Sequence, residues 1–455
     1  MSNLGEARLK PASPITGLGL PALLLAHVAI CCLSLVYVIE IYGYTRLFAF
    51  DRTQLFPALL TVAPLVLVSL LFVFSRFSFG YFLGFGFFTI ILGYLWLTRF
   101  SLLEYDHRLG AISALASLLA FLVPALFVTS PVKQWIVLSR AAFDRTLTAI
   151  LILSVAVIAT GGAYNFRLVG LDSIYEYRAM LAFPKPLEYA IGICSNALLP
   201  FAFACYFLRD DRWRAGAALL LLLLFYPITL TKLALFSPFW LLFLALLARY
   251  FETRIAVVLC LLLIVSAGVL SQSLVSAGVI SRDAATVYFG PINFRMIAVP
   301  SIALDMYGDF FSSHSVTWFC QISFLKPFVS CPYSEPLQYL MNRNYPLGFA
   351  NASLFASEGI ASVGLKWAPL SALACGLVIA AVNRLSSGLP PTFILLSGGI
   401  LWQALMNIPL TTSMLTNGAA FLFVLWYVTP REIFGRQPRA DSADESRKRP
   451  CASSS

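Results

Sequence analysis

The chain has 455 residues, 60% of them hydrophobic and only 11% charged, with a formal net charge of +10. A soluble domain carries roughly a quarter charged residues, so this composition excludes one, and the repeated apolar runs point to membrane-crossing helices. The positive charge is not that of a nucleic-acid binder, because the arginines stand between apolar runs and not on a basic, aromatic-interleaved module.

In chain order, residues 1–18 form a short N-terminal segment. The first apolar run follows Arg8 and Lys10, as a signal peptide's would. It continues to about Ile41 without a small-residue cleavage site and reads as a retained helix. Further spans are expected at about 55–74, 79–98, 109–130, 146–163, 188–208, 215–231, 233–248 and 255–273. The stretch 274–364 is too polar and too broken by Pro, Gly and Asn for a plain span, and reads as one large loop with short or re-entrant helices. Three more spans are expected at about 365–382, 391–408 and 411–428. The tail 429–455, polar and Ser-rich from Arg436, holds too little apolar surface to fold. The expected fold is an all-α, polytopic bundle of about twelve spans.

Basic residues set the orientation. Arg76, Lys133, Arg140, Arg145, Arg209, Arg212, Arg214, Arg249, Arg254, Arg384 and the tail's arginines fall in alternate connections. The positive-inside rule then places both termini in the cytoplasm and the large loop on the opposite side of the membrane. Six of the cysteines lie in apolar runs, where a thiol acts as a small hydrophobe. Cys320 and Cys331 share the large loop and would form a disulfide in an oxidising compartment, or stay as two thiols. No Cys or His spacing suggests a metal site, and no cofactor is expected.

Four places could carry chemistry. The connection Tyr164–Leu187 holds Arg167, Tyr175 and Arg178, and the three-residue step from Tyr175 to Arg178 is about one helical turn. Lys232 stands between two apolar runs, flanked by Pro227 and Pro238. The front of the large loop carries Arg282, Asn293 and Arg295, then Asp305, Asp309 and His314 as candidate proton acceptors; Arg343 follows. At its end Glu358, at the entry to a span, is costly without a partner or a role. Each also has a plainer reading, as an interfacial arginine, a turn lysine or a solvated carboxylate.

Taken together these residues resemble a family, the bacterial oligosaccharide repeat-unit polymerases of Wzy type. The resemblance covers about 160–385. It runs from Tyr-x-x-Arg (Tyr175, Arg178) through Thr231-Lys232 to Asn-Phe-Arg with a later proline (Asn293, Arg295, Pro300), and closes with Gly-x-x-Asn-Ala and Glu-Gly (Gly348, Asn351, Ala352, Glu358, Gly359). It implies a membrane glycosyltransferase that moves a growing glycan from undecaprenyl pyrophosphate to the non-reducing end of a lipid-linked repeat unit at the periplasmic face. Its partners would be that lipid-linked oligosaccharide, the bilayer, and a chain-length regulator and flippase of the same pathway.

The residues suit such chemistry. Arginine binds phosphate oxygens bidentately and stays charged near lipid. At ~4 Å and an effective dielectric near 20 one contact is worth about 4 kcal/mol, so two or three cations suffice without a metal. Arg178 and Arg295 are expected on the pyrophosphate, with Lys232 and Arg282 in support and Arg167, Tyr175, Asn293, Arg343 and Asn351 binding substrate. One of Asp305, Asp309, His314 or Glu358 would orient or deprotonate the acceptor hydroxyl, and an apolar groove between helices would hold the prenyl chain. The rivals are an O-antigen ligase, with the same donor but a lipid A-core acceptor, and a transporter or flippase. The ligase typically pairs its arginines with a loop histidine, here His314, and the transporter should show discontinuous helices and ionisable groups within spans.

Overall fold

The computed structural model describes residues 19–170, 174–178, 180–322, 325, 327–348 and 353–434, without the side chains of Tyr175 and Glu176. Asn351 therefore lies outside the described residues, as does the side chain of Tyr175. No strand forms among the described residues, where Phe48 and Ser101 make an isolated bridge. The architecture is an all-α polytopic membrane bundle. Among the described residues eleven helices are long and apolar enough to cross a membrane, or up to twelve if a bent pair near the C-terminus counts as one span.

The first nine expected spans are present. They are α1 (Gly19–Tyr42), α2 (Leu55–Phe74), α3 (Phe79–Leu97), α4 (His107–Phe127), α5 (Arg140–Tyr164), α6 (Lys185–Leu208), α7 (Arg212–Thr229), α8 (Lys232–Tyr250) and α9 (Thr253–Ser276). Their starts are local in origin: the side chains of Ser78, Asp106, Ser139, Asp211 and Thr231 each accept a first-turn N–H. Helix α3 is buried along its whole length and forms the axis of the bundle, with α1, α2 and α4 packed on it.

One end of the bundle is fastened by cations and amides to carbonyl groups. Arg254 donates to Val73 O (3.3 Å) and Ser75 O (3.2 Å), so α3 and α9 start at the same end. Asn383 donates to Ala125 O and accepts from Gly80 N, joining α4 and a later helix there. Arg431 donates to Leu385 O, Ser387 O, Trp426 O and Thr429 O, filling carbonyls left open at helix C-termini. Burial lowers its pKa to about 10, which leaves it charged at neutral pH.

The stretch expected as one large loop is more ordered than that. It contains a continuous 32-residue helix, α10 (Arg282–Ser313), with wide π-type turns over Gly290–Ala298. Although long enough to span, α10 enters and leaves by one end. Only five residues separate it from the end of α9, and Tyr288 OH already reaches Ile264 O (2.9 Å), while Asn293 Nδ2 reaches Val265 O (3.0 Å). The helix then climbs along α3, with Ser301 Oγ on Ile90 O and a methyl-free fit at Gly93, until Asp305 meets Ser101 beyond the end of α3. Since α3 and α9 run parallel, both ends of α10 lie at the end away from Arg254.

After a loop closed by the Cys320–Cys331 disulfide, α11 (Phe355–Ser386) is longer than expected and kinked at Gly364, where φ is +77°. The last two expected spans are both broken. They form α12 (Pro391–Ser397), α13 (Gly399–Asn407), α14 (Leu410–Thr416) and α15 (Ala419–Val428), with a 72° bend between the last two. Arg431 ties the base of this hairpin together, and its tip, 408–417, stops inside the bundle beside Glu358 and Gly192.

Candidate functional site

A cavity of about 840 Å³ lies where these broken elements meet, and Arg178, Lys232, Arg295 and Glu358 all line it. They come from four separated parts of the chain. Each is held by a local device that the sequence explains.

Lys232 is the first residue of α8, half-buried, directly after a tight turn. Leu230 takes a left-handed conformation (φ 50°), Thr231 caps the helix, and the Thr229 and Thr231 hydroxyls bond at 3.0 Å. The chain after α5 grips this turn: Asn165 Nδ2 donates to Ile228 O, Arg167 N to Pro227 O, and Tyr226 OH to Val169 O. Arg178 ends the short helix Ile174–Arg178, anchored by the buried Ile174. Arg295 sits in the wide turns of α10, exposed to the cavity, with Phe294 stacked on Tyr42 at 3.7 Å. Wide turns shift side chains off the regular helical spacing and are frequent at functional sites.

Glu358 is buried in a second set of wide turns, at the start of α11. Its Oε1 accepts from Leu410 N (2.5 Å) and its Oε2 from Ser357 Oγ (2.6 Å), so the hairpin tip and the carboxylate position each other. Tyr307 also lines the cavity, and its buried hydroxyl has no hydrogen-bond partner among the described residues. A second, apolar cavity of about 500 Å³ adjoins the first. It shares Phe319, Ile322, Glu358 and Thr411 with it and runs along α11 past Trp367, Leu370 and Val378.

The other candidates stand elsewhere. Asp305 accepts from Ser101 Oγ (2.5 Å) and Tyr105 OH (2.6 Å), with His107 Nδ1 at 3.7 Å, on a face of α10 turned to the α3–α4 connection. Asp309 accepts from Glu104 N and Tyr345 OH. Both carboxylates thus fasten loops. Burial, with the nearby carboxylates adding, holds the Tyr105 and Tyr345 hydroxyls well above the ordinary tyrosine range, so they remain donors. His314 stacks on Phe310 at 4.0 Å, outside the cavity lining. Asn293 is fully buried, donating to Ser34 Oγ and Val265 O, so it packs between helices and does not line the cavity. Arg167 lies over the Tyr177 ring at 5.5 Å, Arg343 pairs with Glu335, and Arg282 is exposed; none of the three lines the cavity.

Sequence reasoning passed over Tyr307, Asn196 and Asn417, which line the cavity. The available signal was polar residues inside apolar runs, and at Asn417 the following Gly418. No group of three or more His, Cys, Asp or Glu suited to a metal ion occurs among the described residues. The whole arrangement defines a multi-pass helical membrane protein with a cavity lined by basic side chains and by two carboxylates, buried Glu358 and Glu188, which pairs with Lys185. No family model, curated protein or solved structure matches the chain.

Proposed function

We propose that this cavity is the active site of a polysaccharide repeat-unit polymerase. It would transfer a growing glycan from undecaprenyl pyrophosphate to the non-reducing end of a lipid-linked repeat unit. The observation that carries the reading is the convergence of Arg178, Lys232 and Arg295 on one cavity beside the buried carboxylate of Glu358. Three basic side chains around one cavity suit a ligand with several negative charges, as a lipid diphosphate has. The cations would neutralise the charge that grows on the diphosphate as the anomeric C–O bond breaks and the leaving oxygen keeps the electron pair. The acceptor hydroxyl oxygen forms the new glycosidic bond, and its proton passes to Glu358. The adjoining apolar cavity suits the prenyl chain.

The cavity lies toward the end of the bundle away from Arg254 and Arg431. The positive-inside rule makes that end periplasmic, and a disulfide there suits an oxidising compartment. The position of His314 outside the cavity favours polymerase over ligase. One observation favours a flippase as the second reading: the last hairpin is made of broken helices, bent by 72° between Leu410–Thr416 and Ala419–Val428.

The test is the surface polysaccharide of a deletion strain, resolved by length. A single attached repeat unit without the long ladder supports the polymerase. Loss of all attached glycan, with long lipid-linked polymer accumulating, means a ligase. Lipid-linked single units trapped on the cytoplasmic side mean a flippase.

A further inference from the structure

The cations occupy only part of the cavity. Helix α6 and the hairpin tip line another part, and the residues they contribute include no Lys or Arg. On α6 the lining residues include Tyr189, Gly192 and Asn196, the last of them set in wide turns over Cys194–Leu198. Tyr189 is 45% exposed. Asn196 Nδ2 donates to Asn417 Oδ1 at 3.0 Å, and Asn417 Nδ2 donates in turn to Ser413 Oγ and Thr416 Oγ1, so Asn417 is held by the hairpin tip and positions Asn196. Among the described residues the Asn196 carbonyl oxygen and its second amide hydrogen have no protein partner, so both remain for a ligand. Thr412 and Thr416 add hydroxyls along the same wall.

The chain is built to bring these groups together. A methyl group at Gly192 would sit 2.2 Å from Thr416 O, and one at Gly418 (φ +74°) would sit 2.9 Å from Ala197 Cβ. Only glycine at these two positions lets the broken hairpin close against α6. The 72° bend then turns Asn417 toward Asn196.

We infer that this wall, made by Tyr189, Asn196, Thr412, Thr416 and Asn417, is a carbohydrate subsite that holds the sugar next to the diphosphate and reads its hydroxyl pattern. The inference rests on the lipid-diphosphate reading of the cationic part. A sugar ring offers an apolar C–H face and a rim of groups that each donate and accept hydrogen bonds. A partly exposed aromatic ring suits the face. Carboxamides and hydroxyls, which also donate and accept, suit the rim. A second phosphate would gain nothing from a wall without cations. The size agrees too, since sites of ~300–1,000 Å³ hold ligands of a few rings.

The experiment compares two probes on the full chain in nanodiscs by native mass spectrometry. One is bare undecaprenyl pyrophosphate; the other is the undecaprenyl-pyrophosphate-linked oligosaccharide extracted from cells lacking the protein. Tyr189→Ala and Asn417→Ala should each bind the glycan-bearing lipid about ten-fold more weakly, the loss expected for one good contact. Their affinity for bare undecaprenyl pyrophosphate should change less than about two-fold. Tyr189 is exposed to the cavity, so its variant keeps the test valid if Asn417→Ala misfolds. Equal losses for both lipids, or no loss for either, overturn the subsite while leaving the diphosphate reading intact. Wild-type protein that binds neither lipid overturns the diphosphate reading and the subsite with it.

Discussion

At the scale of single residues, burial alone does not identify a working carboxylate. Asp305 and Glu358 are both buried and both accept two hydrogen bonds, yet only Glu358 lines the cavity. The two therefore answer differently to loss of charge. Glu358→Gln keeps a carbonyl oxygen for Leu410 N, so the fold should hold while transfer falls by about 10²–10⁴, the usual value of a general base. Asp305→Asn should instead lower stability by ~1–3 kcal/mol, the cost of disturbing buried donors, with transfer per folded molecule unchanged. Thermal unfolding in detergent and an in vitro transfer assay with lipid-linked repeat units separate the two outcomes. In the same assay Arg178→Ala and Arg295→Ala should each reduce transfer by roughly 10²–10³ at normal protein levels. Full activity in both variants would remove the cationic site from the mechanism. Arg178, Lys232, Arg295 and Glu358 were legible in the sequence because charge is rare in an apolar chain and their order resembles a family. Asn293 was misjudged because a motif does not show which way a side chain points. Its amide meets Ser34, far away in sequence.

At the scale of elements, continuous hydropathy conceals breaks. The runs 391–408 and 411–428 average as two spans, but Gly398, Pro409 and the Asn417–Gly418 pair divide them. Those are ordinary chain-breaking signals. They were present in the sequence and outweighed by apolar composition. In the expected loop, where Pro, Gly and Asn suggested short or re-entrant helices, the structure widens one helix over Gly290–Ala298 without ending it. Packing decides such cases, and it makes the hairpin's seat testable. Gly192→Ala places a methyl 2.2 Å from a backbone oxygen of the tip, so it should destabilise by about 1–3 kcal/mol and lower the unfolding temperature. Gly216→Ala on α7 meets nothing within 4 Å and should instead raise stability by up to ~1 kcal/mol through helix propensity. Equal effects of the two substitutions would mean that the tip does not press on α6.

At the scale of the whole molecule, the sidedness of α10 fixes how the chain is threaded. If α10 crossed, the disulfide loop 314–354 would share a side with Arg76, Arg254 and the other cations that mark one end of the bundle. The contacts of Tyr288 with Ile264, of Asn293 with Val265 and of Asp305 with Ser101 instead require a descent and a return. The parity of nine spans followed by α11 then leaves Gly19 and Phe434 at the same end. In a background without other reactive thiols, Ser281→Cys and Ser312→Cys flank α10, and Trp213→Cys marks the arginine-rich end, where Trp213 is 91% exposed. A membrane-impermeant maleimide added to intact spheroplasts should label both Ser281→Cys and Ser312→Cys, and Trp213→Cys only after lysis. Labelling of Ser281→Cys without Ser312→Cys would make α10 a true span and move the large loop to the cytoplasm. The cavity would then open toward the wrong compartment for periplasmic polymerisation, and the flippase would become the better account of the same cations.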